Sequence, residues 1–171
     1  MREYLVCDEP LLSVIIASYN SRRTMGRCLR SLRAQETDKP FEVIVVDSST
    51  DGTGEFVRRR FPEVRLFRFP ERKFCGGARN QGISASEAPI IAFTDADCEA
   101  APNWVDEILR AHRLPDPAIG GAIANGNPKS YVGWAAYFCE FSRWMPGTKT
   151  QILSDIAAAN MSYKRELFNK Y

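Results

Sequence analysis

The sequence predicts a doubly wound α/β domain, that is, a mostly parallel sheet with helices on both faces. Short runs of branched apolar residues alternate with runs whose apolar residues recur at helical spacing. The strand-like runs are apolar along their whole length, which is typical of parallel strands covered on both faces. With 171 residues, of which 44% are hydrophobic, the chain is long enough for one such domain but not for two. We therefore predict a single domain over residues 1–171.

The alternation is clearest in the first 113 residues. The first strand-like run is LLSVIIASYN, and the helix after it opens on Ser21, a candidate N-cap. The predicted elements are strand 11–20, helix 21–35, a strand from 41 with turn residues to 53, helix 54–61, strand 64–69, a glycine-rich turn at 75–77, helix 78–87, strand 89–97 and helix 101–113.

The pattern is looser beyond Pro115. Residues 118–128 predict a strand interrupted by glycines, and residues 156–168 begin extended and end helical. Residues 131–144 (YVGWAAYFCEFSRW) form an aromatic, half-amphipathic helix. We expect this helix to pack in the core, because aromatic stripes are more often core than ligand platform. The alternative is that its rings contact an acceptor sugar or a lipid-linked acceptor.

Cysteine and histidine usage excludes several classes of site. The five cysteines are odd in number, widely spaced and without a C-x-x-C pair, so neither a disulfide framework nor a zinc site is indicated. A reducing, cytoplasmic setting is the prediction. The only histidine, His112, lies in a helical stretch, where we expect a surface or half-buried side chain. Ser-His-Asp chemistry is therefore improbable.

Charge and hydropathy give weaker indications about partners. No apolar run approaches the about 18 residues of a membrane span, and MREYLVCDEP has no signal-peptide apolar region. The formal net charge of +2 predicts no nucleic acid partner. Basic residues cluster over 22–33 and 57–73, which fits either an anionic partner or helix faces exposed to water.

The stretch PIIAFTDADC ends an apolar strand with two carboxylates, Asp95 and Asp97. Asp is common in turns, so a purely structural role is one interpretation. The other is functional, because ligands of open α/β sheets bind at the carboxyl ends of the strands. Side chains at i and i+2 point to the same side, where two carboxylates repel unless a cation lies between them and a ligand. Mg²⁺ or Mn²⁺, completed by phosphate oxygens, meets that demand.

Polar residues also follow the first two strands. The sequence places Ser18, Tyr19 and Asn20 after the first strand and residues 47–53 after the second. Singly, each of them fits a turn or a core edge. Together they predict a nucleotide site, because an aromatic ring can stack on a base, an Asp can accept from a ring N–H, and a metal-bearing Asp can hold a diphosphate.

Five motifs in order resemble the N-terminal, nucleotide-sugar-binding part of the family 2 glycosyltransferases. They are LSVIIASYN, VIVVDSSTDGT, GGARNQGI, IIAFTDADCEAAPNW and AAANMSYKREL, and the resemblance covers Leu12 to Leu167. It implies the Rossmann-like GT-A fold, a nucleotide-diphosphate sugar donor that is usually UDP-linked, a divalent metal (Mg²⁺ or Mn²⁺), and inversion at the anomeric carbon. It also implies a saccharide or lipid-linked acceptor, with a role in cell-surface polysaccharide synthesis.

The resemblance assigns a role to each matched residue. Ala17, Ser18 and Tyr19 would line the nucleoside pocket, with Tyr19 against the base. Asp47 would accept from a base N–H, and Arg79 would lie near the diphosphate.

The DAD motif supplies the rest of the implied site. Asp95 would face the ribose, Asp97 would hold the metal, and Ala96 lies between them. Two departures affect the base pocket, because the family commonly has Pro where Ala17 stands and Asp where Val46 stands.

No catalytic residue is assigned. The family's general base follows the segment similar to NMSYKRELF, so we expect the base beyond Tyr171 and a domain that binds donor but lacks the acceptor and base region. Glu166 is expected to be a surface residue. Robust turnover by this chain, lost on mutating Glu140, Asp155 or Glu166, would place the base inside it.

Two other functions remain open. A nucleotidyltransferase also uses Asp-held Mg²⁺, but its glycine-rich phosphate loop after the first strand is absent here; CGGARNQG likewise lacks the dinucleotide-binding spacing. A nucleotide-sugar-binding module without independent catalysis is the non-enzyme alternative. We expect a cytoplasmic protein, with peripheral association at the inner face of the membrane as an option and an unassigned oligomeric state.

Overall fold

The computed structural model describes residues 9–170. The N-terminal segment with Cys7, in which no signal-peptide region was expected, lies outside the described residues. The strands are β1 (Leu12–Ser18), β2 (Phe41–Asp47), β3 (Arg65–Arg68), β4 (Ile90–Asp95), β5 (Ala118–Gly120) and β6 (Asn160–Lys164). The helices are α1 (Met25–Arg33), α2 (Thr53–Arg60), α3 (Cys75–Ala85), α4 (Trp104–Ala111), α5 (Tyr131–Phe141) and α6 (Glu166–Lys170), with a 3₁₀ turn at Ser142–Trp144.

The strands form one sheet in the order β3-β2-β1-β4-β6-β5. β1, β2, β3 and β4 are parallel, and β6 runs antiparallel to both β4 and β5. The predicted doubly wound, mostly parallel α/β fold is confirmed. The order reverses between β1 and β4, which is where open α/β sheets bind their ligands.

Alternate residues of the buried strands face two separate cores. One core packs β1 and β2 against α1, α2 and α4, through residues such as Leu29, Val57 and Val105. The other covers the opposite face and includes Ala78 of α3. Each parallel strand is thus apolar on both faces, which is why the sequence reads as continuous apolar runs rather than alternation.

Two helix starts differ from the sequence prediction. α1 begins at Met25 rather than Ser21, because residues 21–24 form a turn in which the Ser21 carbonyl accepts from Met25 N at 2.9 Å. α3 begins at Cys75, so Gly76 and Gly77 lie in its first turn and not in a preceding turn.

The region beyond Pro115 shows the largest differences. β5 has only three residues of the predicted 118–128 strand. The expectation that the aromatic helix packs in the core is wrong, because Tyr137 is the only buried residue of α5. The extended-then-helical prediction for residues 156–168 agrees with β6 and α6.

His112 was expected at the surface or half-buried, and it is buried. Its ring is 7% exposed, and Nε2 lies 2.8 Å from Ser162 Oγ on β6. The cause is tertiary, since β6 packs beside β4 and brings Ser162 to the end of α4. Burial, with a smaller effect of Lys164, lowers the pKa of His112.

Candidate functional site

The polar residues predicted at strand ends lie together at the carboxyl edge of β1, β2 and β4. Ser18 ends β1, Asp47 ends β2 and Asp95 ends β4. In the strand register Ser18 is paired with Asp47, and Ala17 is paired with Asp95. Alternation places Ser18 and Asp47 toward the α1 and α2 face, and Ala17 and Asp95 toward the α3 face.

Asp47 is 1% exposed, and only one of its two carboxylate oxygens has hydrogen-bond partners. Its Oδ1 accepts from Ser18 Oγ at 2.8 Å and from Ser49 Oγ at 2.5 Å, whereas its buried Oδ2 has no hydrogen-bond partner. Gly54 of α2 lies against this oxygen, and a Cβ there would be 2.6 Å from Oδ2. A buried carboxylate oxygen without a donor is costly unless a ligand supplies one.

The loops after β1 and β2 are tied together by side chains. Asn20, at φ +53, accepts from Thr50 N at 2.9 Å through its Oδ1 and donates its own N–H to Ser49 Oγ at 2.7 Å. Asp51 accepts from Arg22 N at 3.1 Å and from Thr53 N at 3.0 Å. Partial burial acts to raise the pKa of Asp51, but the Thr53 hydroxyl, which donates to Oδ1 at 2.5 Å, and the two backbone N–H groups outweigh it and lower that pKa. The two loops therefore form one rigid rim.

Tyr19 carries the exposed aromatic ring of this rim. It is 39% exposed, and the Arg72 guanidinium lies 4.2 Å from its ring centroid. The same guanidinium lies 5.1 Å from the ring of Phe74, which is exposed. One face of Tyr19 is thus covered by a cation, and a stacking base must use the other face or displace Arg72.

Arg79 of α3 reaches the end of β4. Its Nη2 donates to Asp95 Oδ1 at 3.0 Å and to the Ala158 carbonyl at 3.3 Å, and its buried Nε has no acceptor. Burial raises the pKa of Asp95, with Arg79 opposing and Asp97 adding to the rise. The guanidinium therefore lies beside Asp95, and its planar set of N–H donors also suits a phosphate.

Asp95, Asp97 and Cys98 form a cluster whose ligand atoms lie within 4.8 Å of one another. Burial and the neighbouring carboxylates raise the pKa of the Cys98 thiol to about 11 in the metal-free cluster. The donor set fits a hard divalent ion through its carboxylates, because such ions prefer oxygen ligands to sulfur. Two carboxylates then remain, of which Asp95 is already paired with Arg79. Asp97 is exposed and available.

The two alanines of the predicted site flank these groups. Ala17 is half-buried on the α3 face, and Ala96 is buried against the α1 side of the core. The structure brings all eight predicted residues to the carboxyl edge of the sheet, where they form two groups on the two faces of the sheet. Sequence reasoning missed Gly54 and Arg72, and it included Ser49 in the 47–53 segment without giving it a role. Ser49 lies two residues after Asp47, a spacing that suggests a local contact, but no sequence signal marks Arg72.

The carboxylates considered as a general base lie elsewhere or are engaged. Glu166 follows β6, whose Lys164 is paired with Ile90, so it lies at the amino edge of the parallel strands, opposite the site. Asp155 forms an ion pair with Arg143 at 3.0 Å, and Glu140 is exposed on α5. Within residues 9–170, no helix is long and apolar enough to span a bilayer.

The chain belongs to the family described as Glycosyl transferase family 2, which it matches over residues 13–171. It is 39% identical over 114 residues to validoxylamine A glucosyltransferase of Streptomyces hygroscopicus subsp. jinggangensis, covering 64% of this chain and 27% of that protein. It is 35% identical over 165 residues to glycosyltransferase AglE of Haloferax volcanii, covering 93% and 52%. The predicted family is confirmed.

Solved structures agree on the fold. S. aureus TarS, residues 1–349, superposes with a TM-score of 0.69 at 18% identity, covering 93% of this chain and 48% of that one. The mannosyltransferase PcManGT of Pyrobaculum calidifontis, in complex with GDP-Man and Mn²⁺, gives a TM-score of 0.67 at 25% identity, covering 95% and 47%. The fold is therefore of the GT-A type. The chain spans between a quarter and a half of the length of these relatives.

Proposed function

We propose that this chain forms the donor side of a metal-assisted, inverting glycosyltransferase that takes a sugar from a nucleotide-diphosphate donor, with UDP as the first candidate. The observation that carries the proposal is the unpaired, buried Oδ2 of Asp47 at a strand end. A base N–H would satisfy this oxygen, and Ser18 and Ser49 hold the carboxylate for it through Oδ1. PcManGT, whose structure contains GDP-Man and Mn²⁺, supports a nucleotide-sugar donor and a divalent metal.

The remaining roles follow from charge and position. Asp97 would hold the metal, since it is exposed beside Asp95 at the switch point of the sheet. Asp95 would accept from the ribose, and Arg79 beside it would contact the diphosphate. Tyr19 would stack on the base through the ring face that Arg72 does not cover. Ala17, half-buried at the end of β1, leaves room for the nucleotide there, whereas Ala96 is buried and separates the two carboxylates along the chain.

The chemistry of transfer needs stabilisation of the leaving group. As the acceptor hydroxyl attacks the anomeric carbon from the opposite face, its proton passes to a general base, the bond to the diphosphate breaks, and the electron pair of that bond goes to the diphosphate oxygen. A divalent ion, when bound, supplies Lewis-acid stabilisation of that charge. Arg79 supplies a fixed positive charge at the same place. The acceptor, a saccharide or a lipid-linked saccharide, remains a proposal.

A second candidate is a nucleotide-sugar-binding module that does not transfer by itself. It is favoured by one observation: Asp155 is paired with Arg143 and Glu166 lies at the opposite edge of the sheet. We therefore assign no general base among the described carboxylates. General-base assistance contributes about 10²–10⁴-fold, so binding without fast transfer would distinguish this candidate.

The test combines nucleotide binding with donor turnover. Calorimetry would measure the affinity of the chain for UDP and for GDP, with and without Mn²⁺, and a release assay would follow free nucleotide diphosphate from a panel of sugar donors. We expect metal-dependent UDP binding that Asp97→Asn weakens on the order of 100-fold, because the variant loses a charged metal ligand. Asp116→Asn, an exposed carboxylate between α4 and β5, is the matched control and should bind like the wild type.

Unchanged affinity and metal dependence in Asp97→Asn would contradict the metal assignment. Absence of any nucleotide binding would contradict the proposed function itself. We also propose a cytoplasmic location, which the free thiols of Cys28, Cys75, Cys98 and Cys139 support.

A further inference from the structure

The outer side of α1 is lined by arginines. Arg27, Arg30 and Arg33 recur at helical spacing on α1, Arg23 lies in the turn before it, and all four are exposed. The buried side of the same helix carries Met25, Cys28, Leu29 and Leu32. No acidic residue occurs between Ser21 and Gln35. The helix is thus apolar toward the core and cationic toward solvent along its whole length.

α2 lies beside α1 and extends this cationic surface. At one end the Arg22 guanidinium lies 3.9 Å from the Phe56 ring centroid, and at the other Arg33 donates to the Arg60 carbonyl at 2.9 Å. A Cβ on Gly26 would lie 3.1 Å from Phe56, so the two helices approach closely between these contacts. We call the exposed cations of this surface the arginine face; its members are Arg23, Arg27, Arg30, Arg33, Arg59 and Arg60.

Much of the positive charge on this face is uncompensated. Arg27 pairs with Glu99 at 3.6 Å, and both side chains are more than half exposed, whereas Arg33 is held by Glu63 at 2.5 Å and by the Arg60 carbonyl at 2.9 Å. Exposed ion pairs are worth little and exchange readily for another anion. Among the described residues, Arg23, Arg30, Arg59 and Arg60 have no acidic group within ion-pair distance. The chain as a whole carries a formal net charge of only +2, so positive charge is concentrated here.

We propose that the arginine face docks the protein on an anionic lipid bilayer. Two helices side by side present a broad surface, which suits a plane of headgroups. Guanidinium groups pair with lipid phosphates through two hydrogen bonds at once, and an anionic leaflet attracts nearby Lys and Arg. A single-stranded nucleic acid fits less well, because it needs aromatic platforms. Phe56 is covered by Arg22, and Phe61 is buried in the core beneath Arg33.

The arginine face lies next to the strand-end site. α1 starts at the carboxyl edge of the sheet, and Arg23 follows Tyr19 by four residues. A membrane along α1 and α2 would therefore run beside the strand-end site. The docking proposal does not depend on the donor or on catalysis, so it can fail or hold independently of the proposed function.

The experiment is co-sedimentation of the chain with vesicles of phosphatidylcholine alone and of phosphatidylcholine with about one third phosphatidylglycerol, at 0.1 M and about 0.5 M salt. We expect binding to the anionic vesicles only, and its loss at the higher salt. The triple variant Arg23→Gln, Arg30→Gln, Arg59→Gln removes three cations that have no ion-pair partner, so its fold should be kept. Its affinity for anionic vesicles should fall by on the order of 100-fold.

The matched control removes the same charge elsewhere. Arg113→Gln, Lys129→Gln, Lys149→Gln changes three exposed cations outside the face and should retain most of the binding. Thermal unfolding of both triple variants checks that they fold, and the salt dependence of the wild type needs no variant at all. Equal loss in both triple variants, or no preference of the wild type for anionic vesicles, would overturn the proposal. Tighter binding to a DNA duplex than to these vesicles, lost in the face variant, would overturn it in favour of a nucleic acid partner.

Discussion

The loops after β1 and β2 and the segment over residues 121–159 are held in different ways. The loops are cross-linked by short polar contacts such as Asn20 Oδ1 to Thr50 N at 2.9 Å, and they rest on strands with fully buried residues. The 121–159 segment has α5 and one 3₁₀ turn as its regular elements, and exposes Tyr131, Val132 and Ile152.

The difference shows which part of the chain holds its side chains in a rigid arrangement. A nucleotide presents the same base, ribose and diphosphate to every enzyme that uses it, and the rim around Asp47 is rigid in the way such a ligand requires. Under the proposed function the 121–159 segment lies on the acceptor side. Its aromatic residues pack mainly on one another, as Trp134 and Phe138 do at 5.3 Å between centroids. Aromatic rings packed in this way do not indicate one particular binding partner.

The largest effect is expected at Gly54, where an added methyl group tests whether the rim around Asp47 is rigid. A Cβ there would lie 2.5 Å from Arg68 Nε and 2.6 Å from Asp47 Oδ2, so Gly54→Ala should lower the free energy of unfolding by about 1–3 kcal/mol and also weaken UDP binding. Gly76→Ala is the matched control, since both glycines are second residues of their helices and nothing lies within 4 Å of a Cβ at Gly76. The control should be neutral or stabilising by up to about 1 kcal/mol in urea unfolding. Equal stability of the two variants would show that the rim is soft.

Removing the carboxylate of Asp47 tests the same rim through the ligand. Asp47→Ala leaves a base N–H without an acceptor in a buried site, so calorimetry should show UDP binding weaker by about 1–3 kcal/mol. Asp155→Ala, in the 121–159 segment, should change UDP binding by less than about 0.5 kcal/mol. A loss of only a few tenths of a kcal/mol for Asp47→Ala would remove Asp47 from the nucleoside pocket.

The pH dependence of stability tests a buried group away from the rim. The folded pKa of His112 is lowered below its ordinary value of 6.5. The unfolded chain therefore takes up a proton first as pH falls, and stability present above about pH 6.5 is lost toward the lower folded pKa, with a slope of at most about 1.4 kcal/mol per pH unit. His112→Gln should flatten this loss between pH 7 and 5 in urea unfolding, without changing UDP affinity. An unchanged slope in the variant would show that another group is responsible.

The smallest effect is expected on α5. Tyr131 is 95% exposed, so Tyr131→Ser should change the free energy of unfolding by less than about 0.5 kcal/mol and leave UDP binding unchanged. Tyr137 is 6% exposed and donates to the Ile123 carbonyl at 2.6 Å, so Tyr137→Ser should cause a clear loss. A large loss for Tyr131→Ser in thermal unfolding would show that this side of α5 is covered in solution.

The sequence predicted the strands and the strand-end residues for the same physical reason. β1, β2 and β4 are buried on both faces, so their apolar runs are unambiguous, and the rule that ligands bind at the carboxyl ends then locates Asp47, Asp95 and Asp97. Their individual ligand roles stay predictions.

Other features depend on tertiary contacts that no local pattern encodes. The antiparallel insertion of β6 decides that His112 is buried, and the position of Arg72 over Tyr19 depends on where the 69–74 loop returns. The composition of α5 suggested a core helix, but among the described residues few side chains cover it. Burial of such a helix is set by its neighbours and not by its own sequence.

The place of β6 in the sheet also has a consequence for synthesis. Thr94 ends up beside Asn160, so the ribosome must make the whole 121–159 segment before the edge of β4 acquires its partner. At about 5–20 residues per second, that edge stays unpaired for several seconds in the nascent chain. An open strand edge next to apolar surface is a template for aggregation. The length of the 121–159 segment therefore sets how long this chain needs protection while it is being made.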